Sequence, residues 1–334
     1  PKRVTLTPLQ LAAIVSAGVP GIYPVGASAV LDDTADFDSA IIVDSTNRRW
    51  RVRAPRRPDA SMRLEAEHLI LQSFTPGLRA RLPFQVPTVV GTVPYQDGSV
   101  FIYTHIPGTS YEVDDLAAQN GHTAEGQDSL AVSLGKILAT LHTMPHDLVF
   151  EAGLPSYNSE EIRRRRSVEL ERVAQTGKIP ADLLAHWRSV LSPGPTWQFQ
   201  AHVIHGDMNS DNLVLDGAKI VEVTGWSDVQ VGDPAQDFAW LFSCSDQGFT
   251  DSVLDAYQRQ MRPEPDEHLI QRAHFYAEFA IAQWLAHGAE IGDDDIVQHA
   301  VAMLLDVQDG LRATGGLLGQ EEEEDIPQVI DDED

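Results

Sequence analysis

The sequence has almost no cysteine and no segment apolar enough to cross a membrane. A single cysteine among 334 residues excludes a disulfide-stapled scaffold and a cysteine-rich zinc module. No apolar run approaches the roughly 18–20 residues that a membrane-spanning helix needs. Residues 1–15 lack a long apolar stretch before a cleavage site, so we expect no secretory leader. These absences favour a protein of the reducing cytoplasm that has no membrane partner.

Positive charge is also scarce. The chain carries 24 Lys and Arg against 50 Asp and Glu, a net charge of −26. Nine of the acids fall in residues 321–334, which we expect to form a disordered acidic tail, and subtracting them still leaves −17. An acidic body repels phosphate backbones, so we expect no nucleic-acid partner. The acidity suits a cationic small substrate, but solubility alone also accounts for it.

Two regions of different character follow one another along the chain. Alternating patterns predict strands within 22–57, 87–93 and 99–104, and good helix formers predict a helix over 61–74. Beyond residue 108, apolar residues at helical spacing predict a helix over 130–141, a charged surface helix is expected over 160–174, and residues 251–315 are expected to be mostly helical. We therefore predict an α+β fold of two lobes: a small N-terminal antiparallel β lobe with a helix (1–104) and a larger, mainly helical C-terminal lobe (105–320).

The most informative segment spans residues 203–215 and reads VIHGDMNSDNLVL. Gly206 permits a tight turn that projects Asp207 from a loop. A carboxylate there can accept a proton from a substrate hydroxyl, and the amide of Asn212 can supply an oxygen to a hard cation such as Mg²⁺. Asp and Asn flanking a short loop suit phosphoryl transfer from a nucleotide. An Asx-rich turn between two strands is the alternative interpretation.

A second segment, residues 232–241, reads GDPAQDFAWL. The arrangement HGDxxxxN, then a tryptophan, then VGDPAxDxAWL resembles the aminoglycoside phosphotransferase and choline kinase superfamily, which is related to the protein kinases. Within that superfamily, residues 48–57 (RRWRVRAPRR) and 82–87 (LPFQVP) resemble the macrolide 2'-phosphotransferases. The resemblance runs from about residue 20 to 310 and implies a two-lobed, protein-kinase-like fold.

The resemblance implies roles for residues of the C-terminal lobe. Asp207 would be the catalytic base, and Asn212 would be a ligand of Mg²⁺. His205 would be a buried, hydrogen-bonded residue of the catalytic loop. Asp237 would brace that loop by accepting backbone hydrogen bonds, without a direct part in catalysis.

The resemblance also implies that the N-terminal lobe binds the nucleotide. Arg53 lies where most kinases have a phosphate-binding lysine, and the macrolide kinases resemble this chain in having arginine there; an exposed arginine of a basic cluster is the alternative. Glu67 would orient Arg53 through an ion pair, with Glu65 as a second candidate. A glycine-rich loop is absent; Ser39 would donate to a phosphate or belong to a plain hairpin. The hinge that meets the purine would be Tyr103, Thr104, His105 and Ile106.

One position departs from the family pattern. The second metal ligand of the superfamily is an aspartate just before the tryptophan, and here Gly225 precedes Trp226. Glycine has no side-chain oxygen, and Mg²⁺ in such sites relies on one or two carboxylates plus phosphates. Three interpretations stay open: the chain lost its activity and only binds nucleotide or drug, it was altered for study, or Asp228 or Asp211 takes over as the ligand.

The substrate that the resemblance implies is a macrolide, whose amino sugar carries a dimethylammonium beside the 2'-hydroxyl. An apolar groove with carboxylates would bind it, although core packing is the alternative role for each aromatic residue proposed. The proposed substrate residues are Phe275, Tyr276, Glu278 and Phe279. The sequence thus predicts an antibiotic-resistance kinase that transfers the γ-phosphate of GTP, or of ATP, to that hydroxyl. A kinase for another hydroxylated amine, such as an aminoglycoside or a choline-like compound, and a pseudokinase are the alternatives.

Overall fold

The N-terminal region is an antiparallel sheet with a helix packed on it. The computed structural model describes residues 5–30, 32, 36–96, 98–122 and 126–317. Helix α1 (Pro8–Gly18) begins at a capping box in which Thr7 and Gln10 satisfy each other's backbone N–H groups. Five strands form one sheet in the order β1-β2-β3-β5-β4. They are β1 (Pro24–Ala29), β2 (Phe37–Asp44), β3 (Arg49–Pro55), β4 (Val89–Tyr95) and β5 (Gly98–Thr104).

Strand β3 divides its side chains between the core and a polar face. Trp50, Val52 and Ala54 are buried in the cluster that α1 covers. Because successive side chains of a strand point to opposite faces, Arg51 and Arg53 lie on the other side of the sheet. The alternation of β3 therefore puts the guanidinium groups of Arg51 and Arg53 on the same face of the sheet.

The helix after β3 is fixed at its C-terminal end by one arginine. This helix, α2 (Pro58–Ser73), is followed by the short α3 (Pro76–Arg79). The guanidinium of Arg79 donates hydrogen bonds of 2.8–3.2 Å to four backbone carbonyl oxygens, those of Leu71, Phe74, Val86 and Pro87. The side chain thus caps α2 and ties it to the segment that enters β4.

The rest of the described chain is mainly helical and includes two sheets of two strands each. Strand β6 (His202–Ile204) pairs with β9 (Gln230–Gly232), and β7 (Leu213–Asp216) pairs with β8 (Lys219–Val223), both antiparallel. The helices are α4 (Val113–Ala118), α5 (Leu130–His142), α6 (Asp147–Glu151), α7 (Ser159–Ala174), α8 (Ala181–Val190), α9 (Gln247–Gln260), α10 (Leu269–Ile291) and α11 (Asp294–Ala313).

The predicted α+β order, an antiparallel sheet followed by a helical region, is confirmed. The chain divides into two compact units: the described parts of Pro1–Ile162 with Pro195–Tyr276, and Arg163–Gly194 with the described part of Ala277–Asp334. These units do not correspond to the two predicted lobes, 1–104 and 105–320, and the predicted lobe boundary stays a prediction. The predicted acidic tail lies outside the described residues. Within the described residues, no helix is both long and apolar enough to cross a membrane.

Replacing Arg79 should loosen the end of α2. Arg79→Met keeps an apolar stem but leaves four carbonyl oxygens without their donor, and we expect the free energy of unfolding to fall by about 3 kcal/mol. Chemical denaturation monitored by circular dichroism measures the change. The control is Arg81→Met, an exposed position two residues away, where we expect a change within about 0.5 kcal/mol. Equal stability of the two variants would contradict the capping role.

Candidate active site

The loop after β6 is held by a buried carboxylate. Asp237 is fully buried, and its two oxygens accept hydrogen bonds from the backbone N–H groups of His205 (2.8 Å) and Gly206 (2.9 Å). His142 Nε2 lies 3.0 Å from the same carboxylate, and His142 Nδ1 lies 2.9 Å from the hydroxyl of Tyr257. Burial alone would raise the pKa of Asp237, but the contacts with His142 and His205 outweigh it and lower the pKa. The carboxylate therefore stays ionised and accepts the loop hydrogen bonds that the motif predicted.

His205 is buried and is not among the residues that line the pocket described below. Its Nε2 lies 2.8 Å from the carbonyl oxygen of Thr224, which joins the loop after β6 to the end of β8. Gly206 has φ 82°, and a Cβ at this position would collide with the backbone of Asp228. The close approach of these two loops therefore requires glycine at 206.

Asp207 and Asn212 face each other across the loop. The Nδ2 of Asn212 donates to the backbone carbonyl oxygen of Asp207 (2.8 Å), which leaves the Oδ1 of Asn212 available to a ligand. The Asp207 side chain is exposed to solvent in the pocket. Partial desolvation and the nearby carboxylate of Asp228 raise the pKa of Asp207, whereas Arg63 acts in the opposite direction. A raised pKa makes this carboxylate a better proton acceptor than an ordinary surface aspartate.

Arg53 is held by acids on two sides. Its Nη1 lies 3.2 Å from Oε2 of Glu67, the predicted ion pair, and its Nε lies 2.9 Å from Oδ2 of Asp32. Glu67 is buried and also accepts hydrogen bonds from the hydroxyl of Tyr103 (2.9 Å) and the backbone N–H of Trp226 (3.2 Å). Although burial disfavours a charged guanidinium, Glu67 and Asp32 raise the pKa of Arg53 above its ordinary value. Arg53 is therefore a fixed cation.

One pocket of about 230 Å³ collects most of these groups. It contains four of the positions that the motifs singled out: Arg53, Asp207, Asn212 and Gly225. Asp211, one of the two alternative metal ligands, also lines it. The lining residues that sequence reasoning did not assign to a site are Asp32, Phe37, Arg63, Leu64, Asn209 and Ser227. The pocket thus joins a cation suited to phosphates with a carboxylate and an amide suited to phosphoryl transfer.

Position 225 lies against the amide of Asn212. Gly225 has φ 77° and ψ 41°, the left-handed region that glycine adopts freely and that aspartate and asparagine also visit. A Cβ added here would lie 2.7 Å from Cγ of Asn212, so that amide would have to shift to admit a side chain.

The donors present do not fit the two-ligand Mg²⁺ site that the resemblance implies. The oxygen of Asn212 has no carboxylate opposite it at position 225. No group of three or more His, Cys, Asp or Glu able to hold a metal occurs in the part of the chain that the structure describes. Of the two alternative ligands, Asp211 lines the pocket, whereas Asp228 is exposed beside it and accepts a hydrogen bond of 2.6 Å from Ser227.

Apart from Arg53, the predicted nucleotide-binding residues (the hinge, Ser39 and Glu67) are not among the residues that line this pocket. Tyr103 is buried, with its hydroxyl on Glu67, and the hydroxyl of Thr104 accepts a hydrogen bond from the N–H of Thr88 (3.0 Å). His105 and Ile106 are half-buried. The hydroxyl of Ser39 donates to Asp32 rather than facing the open pocket. Purine binding by the hinge stays a prediction.

The predicted substrate residues occupy packed positions. Phe275, Tyr276 and Phe279 are all buried, and the hydroxyl of Tyr276 donates to Asp233 (3.0 Å). Glu278 is half-buried and accepts a hydrogen bond from the indole of Trp187 (2.8 Å). The three aromatics therefore have the core-packing role that was the alternative to substrate binding, and their contact with a macrolide stays untested.

Comparison with known proteins identifies the class. A model of the phosphotransferase enzyme family (APH) matches residues 29–271, which is more than half of the chain. The protein therefore belongs to that family. One relative, the uncharacterized protein YcbJ of Bacillus subtilis (strain 168), is 25% identical over 238 residues, or 70% of this chain and 75% of that protein.

Solved structures of similar fold come from two kinds of antibiotic phosphotransferase. The apoenzyme of macrolide 2'-phosphotransferase MphH from Brachybacterium faecium has a TM-score of 0.70 at 20% identity, covering 88% of this chain and 97% of that one. Macrolide 2'-phosphotransferase type I has a TM-score of 0.70 at 21% identity, and the match covers 90% of this chain and 99% of that one. The GDP complex of wild-type aminoglycoside 2'-phosphotransferase-IIIa has a TM-score of 0.73 at 16% identity, and the match covers 90% of this chain and 98% of that one. These likenesses confirm the predicted kinase-like fold.

The bracing role of Asp237 can be tested by stability. In Asp237→Asn an amide N–H₂ would face the donors that now share the carboxylate, so we expect the free energy of unfolding to fall by about 3 kcal/mol or more. Asp211→Asn, the same change at an exposed position of the neighbouring loop, should alter it by less than about 0.5 kcal/mol. Urea denaturation of both variants provides the measurement. A normal stability for Asp237→Asn would show that the loop does not depend on this carboxylate.

Proposed function

We propose that the protein is a nucleotide-dependent kinase that transfers the γ-phosphate of GTP, or of ATP, to the 2'-hydroxyl of the amino sugar of a macrolide. The observation that carries the proposal is the pocket that contains Arg53, Asp207 and Asn212 together. Membership of the phosphotransferase enzyme family supports the reaction class. Such an enzyme would act in the cytoplasm, where nucleoside triphosphates are available.

The residues of the pocket divide the chemistry between them. Arg53, oriented by Glu67, would hold phosphate oxygens through paired N–H donors. Asp207 would accept the proton of the substrate hydroxyl while the hydroxyl oxygen bonds to the γ-phosphorus and the nucleoside diphosphate leaves. Because the loop is fixed by Asp237, the carboxylate of Asp207 keeps its position as the proton moves.

A macrolide is the favoured acceptor for two reasons. The arginine-rich segment 48–57 places arginine at the phosphate-binding position, which resembles the macrolide enzymes. Two of the solved structures with the same fold are macrolide 2'-phosphotransferases. An aminoglycoside is the second acceptor to test, since an aminoglycoside enzyme shares the fold equally well.

Incubation with each acceptor and each nucleotide tests the proposal. GTP or ATP with Mg²⁺ would be combined with erythromycin, kanamycin or choline, and the products analysed by mass spectrometry. A mass gain of one phosphoryl group on erythromycin alone supports the macrolide kinase. A gain only on kanamycin or choline replaces the macrolide by that acceptor.

Gly225 favours a second candidate function, a protein that binds nucleotide or drug without transferring phosphate. The left-handed backbone at this position is compatible with aspartate, yet the side chain is missing. Nucleotide binding by calorimetry with no product for any acceptor would favour this candidate.

The role of Asp207 predicts a selective loss of turnover. Asp207→Asn should lower kcat about 100-fold or more, because general-base catalysis contributes roughly 10²–10⁴, while the nucleotide Kd changes little. Steady-state kinetics and calorimetry measure the two effects. Asp216→Asn, at an exposed position at the end of β7, serves as the control and should keep normal turnover. If Asp207→Asn turns over normally, another group is the base. If the unaltered protein is inactive, the two variants are compared in a protein that also carries Gly225→Asp.

Restoring a carboxylate at position 225 should raise activity. In Gly225→Asp the new oxygen would lie beside Asn212 and supply the missing metal ligand, so we expect higher Mg²⁺-dependent turnover and a lower Mg²⁺ concentration at half-maximal rate. Gly225→Asn is the matched control, since it has the same shape without the charge. A thermal melt of each variant separates a metal effect from strain at φ 77°. Loss of an existing activity in a well-folded Gly225→Asp would mean that another carboxylate serves.

A further inference from the structure

The carboxylate of Asp32 lies inside the pocket and is surrounded by donors. Arg53 binds it with two N–H groups, Nε to Oδ2 at 2.9 Å and Nη2 to Oδ1 at 3.1 Å. The Nη2 of Arg51 lies 3.1 Å from Oδ2, and the hydroxyl of Ser39 donates to the same oxygen. Two guanidinium groups and one hydroxyl therefore converge on a single anion at the wall of the pocket.

The sheet sets the backbone positions of the donors, and Arg53 is also held by contacts that do not involve Asp32. Glu67 holds Arg53 from the other side, and the ring of Phe37 lies 4.0 Å from its guanidinium carbon. Arg51 and Arg53 project from alternate positions of β3, and Ser39 lies directly opposite Arg53 in the pairing of β2 with β3. Because the sheet sets these positions, the three donors stay on one side of the sheet whether or not Asp32 is bound to them.

The same donor set suits a phosphate group. Arginine binds carboxylates and phosphates with the same fork of N–H groups, and a serine hydroxyl adds one further donor to either anion. The Asp32 side chain is only 9% exposed. Burial would raise its pKa, but Arg53, Arg51 and Ser39 outweigh burial and lower the pKa to about 2, so the group is an anion at neutral pH.

We propose that Asp32 takes the place of a nucleotide phosphate in the ligand-free protein, and that Arg51 binds that phosphate together with Arg53 and Ser39 once Asp32 is displaced. The inference rests on the proposed kinase function and extends it: it assigns a second phosphate-binding arginine and an internal competitor. The competitor lowers the apparent affinity for nucleotide, because only the fraction of molecules with Asp32 displaced can bind.

Two pairs of variants test the proposal by binding rather than by turnover. Calorimetry with GTP and with inorganic tripolyphosphate is carried out on the full chain. Asp32→Asn should lower the Kd for both probes by about tenfold, because a competing charged partner is removed. Its control is Asp59→Asn, which removes one charge from an exposed position at the start of α2. Arg51→Ala should raise both Kd values by about tenfold, as Arg53→Ala should, while Arg49→Ala, an exposed position of the same strand, should not.

The outcomes separate this inference from the proposed function. The phosphate site is supported if GTP and tripolyphosphate bind more tightly to Asp32→Asn and more weakly to Arg51→Ala, each relative to its control. This conclusion does not depend on which acceptor the protein phosphorylates. Unchanged or weaker binding in a folded Asp32→Asn, or unchanged binding in Arg51→Ala, overturns it, even if the protein phosphorylates a macrolide. If Asp32→Asn does not fold, Arg51→Ala decides the question alone. A parent that binds neither GTP nor tripolyphosphate removes the inference and the kinase proposal together.

Discussion

The described site depends most on the buried carboxylate of Glu67. It joins three parts of the chain that are distant in sequence: Arg53 on β3, the hydroxyl of Tyr103 on β5 and the backbone N–H of Trp226 after β8. A carboxylate buried in this way is stable only while its partners remain, since an unpaired buried charge costs several kcal/mol. The same contacts therefore fix the position of the Arg53 guanidinium relative to the backbone next to Gly225.

A second buried carboxylate, Asp237, holds the loop after β6 as Glu67 holds the segment after β8. Both use two oxygens to collect donors from separate segments, and both are almost inaccessible to solvent. The acids Asp32, Asp207 and Asp211 differ from them because they line the pocket. The strongly negative composition thus includes buried acids that hold separate segments together and acids that line the pocket, which net charge alone does not distinguish.

Local patterns predicted most elements well and missed others for identifiable reasons. The sheet, the helix α2 and the helix α5 follow from alternation and helical spacing, whereas α1 was not predicted although Thr7 and Gln10 form a capping box that the sequence displays. The residues Phe275 and Phe279 illustrate a different limit. An aromatic residue on a helix has the same local pattern whether it packs in a core or lines a groove, so the sequence could not show that these two side chains are buried.

The sequence by itself determined the family, because the short motifs around Asp207 and Asp237 occur in order at the family's spacing. The resemblance also implied the pairing of Arg53 with Glu67 rather than Glu65, and a catalytic role for Asp207 that stays a prediction. It also revealed the missing carboxylate at Gly225. Only the tertiary structure decided that Asp32 reaches Arg53, that Asn212 occupies the space beside position 225, and that the three aromatics are buried. These contacts depend on how loops and strands distant in sequence come together, which no local pattern encodes.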